Sequence, residues 1–134
     1  MTGSNMSEQK RVLVLDDEEM ILELVTDIFT LIGFEVVPVT DAKEAISRFK
    51  EAHEQGEPFD LVLFDMTLPG DMDGADVLRE IRKIDPQIKA IVSSGYSQEE
   101  LKERAGESGF DAAVPKPYSI NVLRETVERL LGQA

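Results

Sequence analysis

Five short apolar runs recur along the chain with helix-period segments between them: "RVLVLD" (11–16), "FEVVPV" (34–39), "FDLVLFD" (59–65), "IKAIVSS" (88–94) and "FDAAVPK" (110–116). Several are apolar at successive positions, the pattern of a strand covered on both faces. The intervening stretches, at about 19–32, 41–55, 74–84, 98–108 and 119–131, space their apolar residues three and four apart. Ile21, Leu24, Val25, Ile28 and Ile32 form such a stripe, as do Ile120, Leu123, Val127 and Leu130. Asp41 with Glu44, and Ser97 with Glu100, have the spacing of a cap and an acid three residues later. Gly33, Gly56, Gly109 and Gly132 stand where helices should stop. Strands alternating with helices in this way predict an α/β fold with a parallel sheet and right-handed crossovers. The segment 98–108 is the least firmly held helix, since only Leu101 and Ala105 offer convincing core contacts.

The 134 residues make one domain, expected over 11–131, with a polar tail at 1–10 and a short tail at 132–134. No apolar run approaches the ~20 residues that span a bilayer, and no signal-peptide pattern precedes the first strand, which points to a cytoplasmic protein without membrane insertion. The absence of cysteine removes disulfides, thiolate metal sites and thiol nucleophiles together. Twenty-seven acidic residues against fourteen basic ones give a net charge of −13. A surface that negative repels nucleic acid, so direct binding to it is not expected, whereas metal cations and basic partner surfaces are attracted.

In an open α/β sheet, ligands bind beyond the carboxyl ends of the strands. There the first run presents Asp16 and Asp17, the third Asp65, the fourth Ser93 and Ser94, and the fifth Lys116. Each alone has a plain structural explanation: an Asp caps a turn, a Ser bonds backbone, a Lys is solvated. Glu18 and Glu19 fit the first turn of a helix, where acids are stabilised. Asp16 and Asp17, at the tip of a buried strand, are not explained in that way. Three crowded carboxylates call for a cation, and oxygen ligands without His or Cys suit Mg²⁺. A carboxylate beside a metal and a lysine can act as nucleophile toward phosphorus, and Asp65, the single acid ending a central apolar strand, is the best candidate.

Taken in order, "VLDDEE", "LVLFDMTLPGDMDG", "AIVSSGYS" and "PKPYS" resemble the receiver domains of two-component response regulators over roughly residues 11–131. The resemblance implies a flavodoxin-like (βα)5 three-layer sandwich whose five-stranded parallel sheet has the order 2-1-3-4-5. It implies Asp65 as phosphoacceptor, and Asp16 and Asp17 as the acidic pair that holds Mg²⁺ together with Asp65 and the backbone carbonyl of Thr67. Ser94 corresponds to the switch hydroxyl, Lys116 to the lysine that pairs with the phosphoryl group, and the bond from Lys116 to Pro117 to one that is typically cis. Ala113 departs from the family, which often has an aromatic residue there whose rotation reports activation. Tyr96 and Tyr118 read as packing residues, and Tyr96 and Thr67 also flank the site where side chains tend to set the lifetime of the acyl phosphate.

The expected function is therefore that of a phosphorelay receiver. It accepts a phosphoryl group from a histidine kinase or histidine phosphotransfer protein, shifts between two conformations and signals to a downstream protein target. Beyond its own phosphorylation and slow dephosphorylation it is not expected to be an enzyme. His53, the only histidine, lies among Glu51, Glu54 and Gln55 and reads as a surface residue rather than a donor. The phrases "KAIVSSGYS" and "LPGDMDG" look more like receivers attached to hybrid sensor kinases than stand-alone ones. A Mg²⁺-dependent phosphatase with an aspartyl nucleophile is the rival, but such enzymes generally need an acid where this chain has Thr67. A flavodoxin-like nucleotide binder is a third reading, and no Gly-rich loop follows the first strand to support it.

Overall fold

The computed structural model describes residues 9–66, 68, 70–94, 109–116 and 118–132. The elements run β1 (Arg11–Leu15), α1 (Glu19–Ile32), β2 (Glu35–Val39), α2 (Ala42–Glu54), β3 (Leu61–Asp65), α3 (Gly74–Ile84), β4 (Lys89–Ser94), β5 (Ala112–Pro115) and α4 (Ile120–Leu131). The expected helix at 98–108 lies outside the described residues. All strand pairs are parallel, in the order β2-β1-β3-β4-β5, as the resemblance implied.

The continuous apolar runs are explained by two separate cores, one on each face of the sheet. Leu13, Leu15, Val62, Phe64, Ala90 and Val92 pack toward α2 and α3, with Phe49 and Leu78 among their neighbours. Val12, Val14, Leu61, Leu63, Ile91 and Val114 pack toward α1 and α4, against Val25, Phe29 and Leu123. Burying one such side chain contributes about 1.5–3 kcal/mol, so both layers hold the sheet. The β2 strand lies at one edge and is only partly covered, which is where a proline such as Pro38 is tolerated.

One apolar stripe sits differently from its expectation. On α1 the buried residues are Leu22, Val25, Ile28 and Phe29, while Leu24 is 42% exposed. Apolar residues cover more than half of this helix's circumference, so spacing alone did not single out the inward face. On α4 the buried set is Leu123, Thr126 and Val127, and Ile120 is 41% exposed.

Candidate functional site

The chain steps from β1 outward to β2 and then returns to the other side of β1 for β3, so strand order reverses between β1 and β3. A crevice opens at such a point beyond the carboxyl ends. Alternation along each strand decides which side chains enter it. Val12 and Val14, Leu61 and Leu63, and Val114 all face α1 and α4. The next residues on that stripe are Asp16, Asp65 and Lys116.

Asp16 and Asp65 are buried, at 1% and 6% exposure, and Asp17 is exposed. Lys116 Nζ lies 2.8 Å from Asp16 Oδ2 and donates a hydrogen bond of 3.1 Å to Asp65 Oδ2. Asp16 Oδ1 accepts the backbone N–H of Glu18 at 2.9 Å, so this acid also turns the chain into α1. Glu18 takes the N-cap position and Glu19 the first turn, as expected of those two acids. Burial by itself would lower the pKa of Lys116, but the carboxylates of Asp16 and Asp65 outweigh it and hold the value above that of an ordinary lysine. The ammonium is therefore charged at neutral pH.

One carboxylate oxygen from each of Asp16, Asp17 and Asp65 falls within 4.8 Å of the others, the only such group of three among the described residues. Asp16 Oδ2 is buried and, despite its ion-pair distance to Lys116, accepts no hydrogen bond of good geometry. Among the described residues, three carboxylates face one ammonium, an excess of negative charge at this point. An all-oxygen donor set with that excess fits a hard divalent cation such as Mg²⁺.

Sequence reading missed two supports of this site. Gly74, the first residue of α3, packs so closely on β3 that a Cβ there would collide with the backbone oxygen of Asp65. A glycine opening a helix right after the capping residue Asp73 was the available signal, since glycine is a poor helix former unless backbone must approach closely. The second is the contact between Ser93, a residue expected at this strand end, and Tyr118: Ser93 is wholly buried and its Oγ lies 2.6 Å from the Tyr118 hydroxyl. Burial pushes the Tyr118 phenol up to about 12, and the Ser93 hydrogen bond only partly offsets this. Tyr118 packs against the α1/α4 core, as expected of it.

Ser94 ends β4 opposite Pro115, but its side chain lies outside the described residues, as do Thr67, Tyr96 and Pro117. Ala113 is half-buried and packs toward α2 and α3, on the face away from Lys116. His53 is exposed near the end of α2.

The profile of the response regulator receiver domain matches residues 12–128, and the chain belongs to that family. It is a receiver domain of the two-component signalling type, and the phosphatase reading is not favoured. Chemotaxis protein CheY of Thermotoga maritima is 34% identical over 122 residues, which cover 90% of this chain and 97% of CheY. Sensor kinase CckA of Brucella abortus is 30% identical over 129 residues, 96% of this chain but 13% of the kinase. The response regulator TrrA of Thermotoga maritima, solved with Mg²⁺ and BeF, superposes with a TM-score of 0.75 at 32% identity, covering 91% of this chain and 99% of TrrA.

Proposed function

We propose that Asp65 is the phosphoacceptor of this receiver, and that a partner's phosphohistidine is the donor. A carboxylate oxygen of Asp65 attacks phosphorus as the P–N bond breaks. The electron pair leaves with the imidazole nitrogen, and an acyl phosphate remains on Asp65. Lys116 would pair with the incoming phosphoryl oxygens, a role supported by its charge and its 3.1 Å hydrogen bond to Asp65 Oδ2. Asp16, Asp17 and Asp65, with the backbone carbonyl of Thr67, would hold Mg²⁺, which when bound shields the negative acceptor from the negative phosphoryl group. Ser94 supplies a hydroxyl that bonds the transferred group. The single observation that carries this reading is the meeting of Asp16, Asp17, Asp65 and Lys116, drawn from three strand ends, at one point.

In this reading a histidine kinase or histidine phosphotransfer protein lies upstream and a protein target downstream, and the domain works in the cytoplasm. Residues 11–131 form the functional unit, flanked by tails at 1–10 and 132–134. The match to CckA, a sensor kinase far longer than this chain, supports a hybrid-kinase context. The chain promotes its own phosphorylation and slow hydrolysis rather than turning over a free substrate.

The test is treatment with acetyl phosphate and Mg²⁺ followed by mass-spectrometric mapping. One phosphoryl group on Asp65, and none in Asp65→Asn, is the expected result. Undiminished labelling of that variant would overturn the assignment, and sustained turnover of phosphomonoesters would return the phosphatase reading.

A further inference from the structure

Lys116 leaves the sheet at the end of β5 and enters a connection of four residues, 116–119, ahead of α4. The far end of that connection is fastened by Ser119, whose hydroxyl accepts the Val122 N–H at 3.4 Å. The near end is fastened by Tyr118, two residues beyond the lysine, through its hydroxyl contact with Ser93.

Ser93 is placed to transmit that restraint. Its Cα is in register with Asp65 on β3 and with Val114 on β5. Its carbonyl accepts the N–H of Met66, the residue after Asp65, at 2.9 Å. One residue thus grips the acceptor strand through its main chain and the lysine's connection through its side chain. A hydroxyl at 0% exposure, directly after the buried Ala90, Ile91 and Val92 on β4, is costly unless it is bonded, and an apolar side chain would pack there without that cost.

We infer that Tyr118 is a positioning residue: the Tyr118–Ser93 hydroxyl pair pins the connection bearing Lys116, so that its ammonium stays aligned with Asp65. Lysine has a long flexible stem, and fixing its backbone removes part of the disorder that would otherwise blur its placement. Tyr118 acts through Lys116 and touches no reacting atom. The inference rests on the phosphoacceptor reading above.

The test compares the full chain with Tyr118→Phe, Ser93→Ala and the double variant, at a temperature where thermal melts show each one folded. The readout is the rate of Asp65 labelling by acetyl phosphate at saturating Mg²⁺, together with the half-saturating Mg²⁺ concentration. Each single variant is expected to be slower by about threefold to tenfold, the range one hydrogen bond carries. The double variant should be no slower than the slower single one, with the Mg²⁺ requirement unchanged. A lower melting temperature with an unaltered labelling rate would make the pair merely structural and overturn the inference, as would additive losses. If Tyr118→Phe does not fold, Ser93→Ala decides by the same criterion. Wild-type protein that fails to label removes the phosphoacceptor reading and this inference with it, whereas labelling of the wild type and equal labelling of the variants removes only the inference.

Discussion

The two ends of the sheet use charge in opposite ways. At the amino ends of the strands, charges are matched and tie elements together. Arg11 pairs with Glu35, donates to the backbone carbonyl of Glu57 and lies 4.6 Å from the centre of the Phe59 ring. Arg82, from the end of α3, pairs with Asp111 at 2.9 Å and donates to the carbonyls of Ile88 and Gly109. Asp111 in turn accepts the N–H of Ala90, so one cation and one acid join α3, β4 and the entry to β5. At the carboxyl ends, Lys116 faces Asp16 and Asp65 with Asp17 close by, and among the described residues the acids outnumber the cation. Matched charge serves the fold. Surplus charge of one sign, held where the sheet cannot disperse it, is a cost to folding that a ligand can remove.

Deleting cations at the two ends should sharpen this contrast. Lys116→Ala leaves Asp16 and Asp65 buried without their counter-charge and should lower stability by about 2–4 kcal/mol in denaturant melts. Because the pKa of Lys116 is raised on folding, its contribution is fully present below the ordinary lysine value of 10.5 and fades only as pH rises through the raised value. The gap between wild type and variant should therefore hold from neutral pH to about 10 and narrow in stronger alkali. A variant as stable as wild type would break the comparison. Arg82→Ala should cost less, about 1–2 kcal/mol, since its pair is partly solvated, and acetyl phosphate labelling should stay within about twofold of wild type. Loss of labelling there would show that the two ends are not separate in function. The smallest effect is expected from Asp17→Asn, which relieves repulsion and should raise the melting temperature by about 1–2 °C while weakening Mg²⁺ binding. A fall in melting temperature would mean that the acids are not in surplus.

How much of this was readable beforehand depended on how local each signal was. Helix limits at 19–32 and 74–84 coincide with the observed α1 and α3, because cap and stop signals act within a few residues: Gly33 ends α1 and Asp73 caps α3. The convergence of Asp16, Asp65 and Lys116 was legible because a parallel sheet brings all strand ends to one edge, whatever their separation in sequence. The clasps of Arg11 and Arg82 were not. Their hydrogen-bond partners are contributed by segments up to 46 residues away, and nothing in an exposed-looking arginine reports which carbonyl it will meet. The Ser93–Tyr118 contact escaped for the same reason, since each residue alone reads as ordinary packing.

Calorimetric titration of the unmodified chain with Mg²⁺ tests the surplus-charge account most directly. Uptake of one Mg²⁺ per chain at millimolar concentration or below, abolished in Asp16→Asn, is the result the account predicts. No heat of binding at millimolar Mg²⁺, or uptake that survives the Asp16 substitution unchanged, would contradict it.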